Sequence, residues 1–167
     1  MPETPPILPR LLASNALRAN LSKHMTLNQM ADSKASMILT ASSLIITITL
    51  TQYDRLHLST VLILAGAGLL AILFSILAII PPLHASGETN LFYFRSFAEL
   101  DEETFNRQFK QTIADKDALY DAYLHEIYFL GKHRLTRKYR LIRDGLWCLL
   151  GGLIGATLSA LIHRLPL

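Results

Sequence analysis

The sequence predicts an all-α membrane protein, in which three transmembrane helices, the first two as a hairpin, carry a small cytoplasmic helical bundle. Of its 167 residues, 51% are hydrophobic and only 17% are charged, against about 25% charged in an average soluble domain. The apolar residues are concentrated in three stretches that are long enough to cross a bilayer. Outside them, apolar residues recur at helical spacing, so we expect long helices that continue from the cytoplasmic part into the membrane.

The composition also excludes several classes of protein. A disordered chain needs low hydrophobicity and high net charge, which this sequence lacks. The single cysteine, Cys148, leaves no internal disulfide and no cysteine-based zinc site. A net charge of +3 is too small by itself to indicate nucleic-acid binding.

Three stretches contain no Asp, Glu, Lys or Arg: residues 35–51, 58–80 and 145–163. A transmembrane helix needs about 20 apolar residues, so the second and third stretches each predict a span. The first stretch is shorter and rich in hydroxyl groups, and its alternative is a re-entrant or buried helix beside two spans. Since it closely precedes the second stretch, we predict that the two form a hairpin.

Basic residues near the spans indicate their orientation. Four precede the first span, one lies in the hairpin loop, ten lie between the second and third spans, and one follows the third. Both basic segments fall on the same side of a three-span protein, which predicts a cytoplasmic N-terminus and middle segment. The first nine residues contain four prolines and no basic cluster, unlike a secretion signal, so the first span is expected to stay as an anchor.

The predicted organisation has four parts. They are a cytoplasmic N-terminal helix over residues 1–34, a transmembrane helical hairpin over 35–80, a cytoplasmic helical region over 81–144, and a third transmembrane helix with a short tail over 145–167. No proline or glycine occurs in residues 10–51, which predicts one continuous helix of about 40 residues. Pro81 and Pro82 are expected to end the second span.

The cytoplasmic region is also predicted to be helical. The aromatic run of residues 91–97 has strand propensity but no partner strand, so we expect a short helix at the membrane edge or an ordered loop. Acidic residues from Asp101 onward open a helix at the end that its dipole favours. A second helix begins near Asp117, and without a proline to stop it, it is expected to continue into the third span, with Gly131 as a position for a bend.

The start of the first span carries the most informative polar residues. Asn28 lies four residues before Asp32 and therefore on the same helix face, and Lys34 follows at the membrane edge. A charged side chain at this depth needs a partner or water. The alternative is that Asp32 and Lys34 form an interfacial pair whose side chains reach the lipid headgroups.

Small and hydroxyl residues mark two helix faces. A hydroxyl stripe along the first span predicts either close helix packing or a water-lined, gated surface. Its members are Ser36, Thr40, Ser43 and Thr47. A ladder of small residues on the third span predicts close helix contact within or between chains, and we expect a homo-oligomer. Its members are Gly151, Gly155 and Ser159.

Further cations lie in two settings. A basic run before the third span either contacts anionic lipid headgroups or turns some of its side chains inward to an anionic ligand. Its members are Lys132, Arg134, Arg137, Lys138, Arg140 and Arg143. Arg95 lies within the aromatic run, whose rings either stack on a base beside a bound phosphate or are core anchors.

No catalytic signature is present. His125-Glu126 lacks the second histidine of a metalloprotease helix, and no paired carboxylates or histidines share a helix face. We therefore expect no enzymatic activity, no metal site and no cofactor, and a small membrane-bound enzyme is the least favoured interpretation.

Several short motifs occur in a characteristic order. Residues 31–35, Ala-Asp-Ser-Lys-Ala, lead directly into the first span, and the second span ends in Ile-Pro-Pro at residues 80–82. An aromatic box follows at residues 90–94, then an acidic helix, and a Lys138-Tyr139 segment enters the last span. Over about residues 11–163 this order resembles the transmembrane effector family of Pycsar antiphage systems, and the Ala-Asp-x-Lys-Ala motif is its most specific part.

The resemblance implies a membrane effector of bacterial defence. Such an effector responds to a cyclic pyrimidine mononucleotide, cUMP or cCMP, and impairs the inner membrane, so that the infected cell stops growing or dies. It implies the nucleotide and the lipid bilayer as partners, with no nucleic-acid polymer. Because no soluble cyclic-nucleotide-binding domain is recognisable, the ligand is expected to bind among the cytoplasmic helices or between subunits.

Candidate ligand-binding residues follow from the motif positions of the family. They are Asn28, Asp32, Lys34, Asn90, Phe94, Lys138 and Tyr139, to which the cation among aromatic rings, Arg95, is added. The alternative function is a non-enzymatic membrane scaffold that recruits a cytoplasmic partner through its helical bundle.

Overall fold

A computed structural model of the chain describes residues 10–80, 91–92, 97–98 and 100–164. Of these residues 93% are helical, and none of them lies in a strand. Three helical segments are long and apolar enough to cross a membrane: Leu12–Thr51, Leu58–Ile79 and Lys116–His163. The predicted fold class, an all-α protein with three membrane-spanning helices, is therefore confirmed.

Helix α1 is the long helix that the sequence predicts. It runs for 42 residues from Arg10 to Thr51, about 63 Å at 1.5 Å per residue, because no proline or glycine interrupts it. A single turn of 3₁₀ helix, Tyr53–Arg55, separates it from α2, which runs from Leu58 to Ile79. The proline pair expected to end α2 lies outside the described residues, and the transmembrane hairpin stays a prediction.

Two shorter helices begin at acidic caps. Helix α3 spans Glu102–Ala114 and α4 spans Lys116–Phe129. The carboxylate of Asp101 accepts hydrogen bonds from the backbone N–H of Thr104 at 2.6 Å and from its hydroxyl at 2.9 Å. These bonds favour the charged form and hold the pKa of Asp101 below its ordinary value. The acidic start predicted for this helix is therefore an N-cap.

The chain continues from α4 into the third span without leaving helical structure. A π-helical segment, Leu130–Leu135, follows α4 and leads directly into α5, Thr136–Arg164. It contains Gly131, the position at which the sequence predicts a bend. Since π-helical turns are rare and concentrate at functional sites, the residues that follow this segment on α5 are candidates for a functional site.

Close contacts divide the described chain into two compact units. One unit contains residues 28–80 and 135–164, that is, the second part of α1, all of α2 and all of α5. Its core side chains are small or aliphatic: Ala31, Ala35, Ile38, Ala71, Ala78, Ile142 and Leu149. Alanines in such a core let helix backbones approach closely, which is how helices associate in lipid. The predicted bilayer boundaries within this unit stay predictions.

The contact between α2 and α5 depends on a glycine that the sequence ladder does not include. A Cβ at Gly152 would lie 2.2 Å from Cβ of Ala67, whereas a Cβ at Gly151 would have no atom within 4 Å. Gly155 of the ladder does face α2, since its Cβ would lie 3.4 Å from Cγ2 of Ile63. The spacing of small residues shows that they share a face of the helix, but not which neighbour that face contacts. A contact of Gly151 with another chain stays a prediction.

The other unit contains residues 10–27 and the described residues between 91 and 134. Aromatic rings cluster within it. The rings of Phe92 and Tyr123 stack with centroids 5.0 Å apart, and Phe105 lies 4.7 Å from Phe97 and 5.5 Å from Phe109. Phe92 and Phe97 therefore pack on rings of α3 and α4, which favours the core-anchor alternative for these two. The predicted cytoplasmic bundle itself stays a prediction.

We expect Gly152→Ala to destabilise the protein and Gly151→Ala to leave its stability unchanged or slightly raised. The added methyl group at residue 152 has no room beside Ala67, and such overpacking costs about 1–3 kcal/mol. Thermal unfolding of both variants in the same detergent measures the difference. An unchanged unfolding midpoint for Gly152→Ala would show that α2 and α5 are not packed as described.

Candidate functional site

The side chain of Lys138 joins α5 to the middle of α1, just before the position at which the first span is predicted to start. Its Nζ lies 2.6 Å from Oδ1 of Asp32 and donates a hydrogen bond of 2.8 Å to Oδ1 of Asn28. Asn28 and Asp32 are one helical turn apart on the same face of α1, so a single ammonium group reaches both. Asn28 and Asp32 lie on one face of α1, as the sequence predicts, and their side-chain oxygens contact the same ammonium group.

Burial makes this contact more than a surface ion pair. The side chain of Lys138 is 17% exposed and that of Asp32 is 40% exposed. Oδ1 of Asp32 is shielded from solvent and accepts no well-aligned hydrogen bond from a described residue, so the nearby ammonium charge compensates it through proximity alone. Because shielding a charge from water is costly unless it is paired, the loss of either partner leaves the other uncompensated.

A second cation lies beside this pair. Nζ of Lys34 is 5.3 Å from the ring centroid of Tyr139, within the range of about 6 Å for a cation–π interaction. Tyr139 directly follows Lys138, so consecutive residues of α5 each contact a polar residue of α1. The result is a small group of two cations, one carboxylate, one amide and one aromatic ring.

The structure brings together one part of the predicted ligand-binding set. The residues in contact are Asn28, Asp32, Lys34, Lys138 and Tyr139. The other predicted residues, Asn90, Phe94 and Arg95, lie outside the described residues. Ligand binding by any member of the set stays a prediction.

Lys138 differs from its basic neighbours on α5 in the direction of its side chain. Arg137 and Arg140 are exposed, and Arg143 pairs with the adjacent Asp144 at 3.2 Å. These side chains fit the anionic-lipid alternative for the basic run. Lys138 is instead turned inward to α1, a difference that the sequence run alone does not reveal.

The hydroxyl stripe of α1 lies on the face that points away from this unit's core. Its members Ser36, Thr40, Ser43 and Thr47 are all exposed. The hydroxyl of Thr40 donates to the carbonyl oxygen of Ser36 at 3.0 Å, and that of Thr47 donates to Ser43 at 2.9 Å. These bonds give the two threonine hydroxyls a hydrogen-bond acceptor within the helix, which suits a lipid environment. Whether the stripe faces water or another helix stays a prediction.

The opposite face of α1 carries a second set of polar residues that the sequence analysis does not single out. Ser42 is fully buried and Thr49 is 2% exposed. The hydroxyl of Thr49 donates to the carbonyl oxygen of Ile45 at 2.7 Å, whereas Oγ of Ser42 has no hydrogen-bond partner among the described residues. The sequence could have indicated this face, because Ala35, Ser42 and Thr49 follow one another at intervals of seven residues and therefore lie on one side of the helix.

Polar groups also join α2 and α5 at the other end of this unit. The hydroxyl of Ser159, a member of the predicted ladder, lies 2.9 Å from that of Ser59 and 3.1 Å from that of Thr60. The rings of His57 and His163 lie 4.2 Å apart, edge to face. The ladder residue therefore contributes hydrogen bonds between helices.

No three His, Cys, Asp or Glu side chains in the described part of the chain lie close enough to hold a metal ion. The absence of metal, cofactor and catalysis stays a prediction for the chain.

Comparison with known proteins identifies one family. A family model described as the Pycsar effector protein domain matches residues 16–163, which include the whole group around Lys138. No curated protein and no solved structure gives a significant match.

Proposed function

Because the chain belongs to the family of Pycsar transmembrane effectors, which act in antiphage defence, we propose that a cyclic pyrimidine mononucleotide, cUMP or cCMP, activates it. The active protein impairs the integrity of the bacterial inner membrane, and the infected cell stops growing or dies. The family is one of transmembrane effectors, and the proposal assigns no catalytic step to the chain.

The orientation in the membrane is part of the proposal. The two basic segments lie in the cytoplasm, and the turn at Tyr53–Arg55 and the C-terminus lie outside. The group around Lys138 then lies at the cytoplasmic edge of the membrane. A nucleotide made inside the infected cell reaches it without crossing the bilayer.

The observation that carries the proposed ligand site is the meeting of Lys138 with Asn28 and Asp32, beside Lys34 and Tyr139. A cyclic mononucleotide presents one negative charge and one flat base with hydrogen-bonding edges. Two lysines supply positive charge for the phosphate, and an amide supplies a hydrogen-bonding group for the edge of the base. An aromatic ring offers a surface on which the base stacks. Asn90, Phe94 and Arg95 join this set on the family resemblance.

The proposed homo-oligomer assembles through the outer face of α1. We name as the outer seam six exposed residues whose spacing alternates strictly between four and three: Gln29, Ser33, Ser36, Thr40, Ser43 and Thr47. The buried face of the same helix, at Ala31, Ala35, Ile38, Ser42 and Thr49, also follows heptad spacing. A strict heptad repeat keeps one face of a helix against a partner helix, so the unpartnered outer seam supports packing on another copy.

The outer seam differs in side-chain size and polarity from much of the exposed surface of α2 and α5. Many exposed residues of α2 and α5 are large aliphatic side chains such as Leu69, 61% exposed, and Leu158, 55% exposed, which suit lipid. The outer seam offers small polar side chains instead, which suit close helix contact. Rearrangement of this contact is the proposed route from ligand binding to membrane damage.

We expect cells that carry the protein to depolarise and admit an impermeant dye when cytoplasmic cUMP or cCMP rises. Lys138→Met, which removes the ammonium group, should raise the nucleotide concentration needed by at least about tenfold, the loss of 1.4 kcal/mol of binding. Lys110→Met, at an exposed lysine of α3, is the matched control. An intact membrane despite inserted wild-type protein and measured nucleotide would rule out the proposed function.

Oxidation of membrane vesicles tests the outer seam. In a Cys148→Ser background, which removes the chain's one free cysteine, Thr40→Cys should give disulfide-linked dimers because residue 40 faces another copy. Leu69→Cys on α2 is the control with a lipid-facing position. Equal dimer yields at the two positions would argue against the seam as the interface.

A further inference from the structure

The contacts of Lys138 point to a switch at the proposed ligand site. We propose that Asp32 is a displaceable counter-ion of Lys138: in the ligand-free chain it holds Lys138 on α1, and the anionic group of the ligand replaces it and releases α1 from α5. The inference rests on the proposed function, since its ligand is the cyclic nucleotide.

Charge and geometry favour the displacement of Asp32 from Lys138 by an anionic ligand. Lys138 has one positive charge, and in the structure it is already used by the carboxylate of Asp32 at 2.6 Å. A carboxylate and a cyclic phosphodiester each carry one negative charge, so a phosphodiester that approaches Lys138 is repelled by Asp32 as long as Asp32 stays paired there. Asp32 therefore competes with the ligand for Lys138, and its role differs from that of a ligand contact.

Burial decides which partner moves. The side chain of Lys138 is 17% exposed, whereas that of Asp32 is 40% exposed. A displaced Asp32 carboxylate therefore has water beside it to restore its solvation, while Lys138 has little freedom to follow. The exchange leaves the cation in place and moves the carboxylate outward.

Few other contacts between described residues hold α1 and α5 together near Asp32. The side chains of α1 next to Asp32 that enter the core are Ala31 and Ala35, which bury little apolar area. The contacts of Lys138 with Asp32 and Asn28, and of Lys34 with Tyr139, thus supply a large part of the attachment between α1 and α5 there. A ligand that replaces Asp32 on Lys138 removes the ion pair between α5 and α1. It therefore binds the separated helices better than the joined ones, which is the difference in affinity that a switch requires.

The test compares nucleotide affinity of purified wild-type protein with that of Asp32→Asn. Removal of the competing charge should lower the dissociation constant of the activating nucleotide, cUMP or cCMP, by at least about fivefold. Asp144→Asn is the matched control, because it removes one negative charge near the membrane edge of α5 from an ion pair with Arg143. It should leave the affinity unchanged.

A second measurement does not depend on the folding of Asp32→Asn. Nitroxide labels at Met30→Cys on α1, outside the outer seam, and Arg140→Cys on α5, both exposed positions, in a Cys148→Ser background report the separation of the two helices by pulsed electron paramagnetic resonance. Addition of the activating nucleotide should lengthen the distance between the labels.

The outcomes separate this inference from the proposed function. If the wild-type protein binds neither nucleotide, the proposed function fails. If it binds one of them while Asp32→Asn binds no more tightly, or the label distance does not change, the counter-ion switch is wrong and the ligand site stands.

Discussion

A largely buried ammonium group needs a compensating charge, and for Lys138 that charge is the carboxylate of Asp32 on a neighbouring helix. Its contacts with Asp32 and Asn28 place α1 against α5 in the middle of α1. The same requirement acts on Asp32, whose Oδ1 is shielded from solvent. The two helices are thus joined by a pair in which each partner is costly to leave alone, and the proposed switch acts on this pair.

Apart from this polar contact and the hydroxyl contacts of Ser159 with α2, the helices of this unit are held by close approach of small residues. Gly152 lies where a methyl group would meet Ala67 at 2.2 Å, and Ala31 and Ala35 are fully buried. Lipid gives little hydrophobic drive for helix association, so packing and hydrogen bonds between helices supply it. Contacts of small side chains bury little area and rearrange at modest cost, which suits a protein whose proposed action is to change its helix packing when a ligand binds.

The spans and the length of α1 could be predicted because their causes are local. Stretches without charge identify the three helices that are apolar enough to cross a membrane, and the absence of proline and glycine over residues 10–51 accounts for the long helix. The shared face of Asn28 and Asp32 follows from helix geometry in the same way. The position of Lys138, 110 residues after Asn28, could not be derived from spacing, because the register between two helices depends on how their side chains pack. The family resemblance named Lys138, but not its pairing with Asp32. The close contact at Gly152 rather than Gly151 has the same origin, since one residue turns a helix by about 100°.

Calorimetric titration of the purified, folded protein with cUMP and with cCMP tests the central claim most directly. We expect one of them to bind with a stoichiometry of one nucleotide per chain, and Lys138→Met to weaken that binding at least about tenfold while Lys110→Met does not. Binding that is equally strong in Lys138→Met would contradict a ligand site at this lysine, and no heat of binding from either nucleotide in the wild-type protein would contradict nucleotide activation itself.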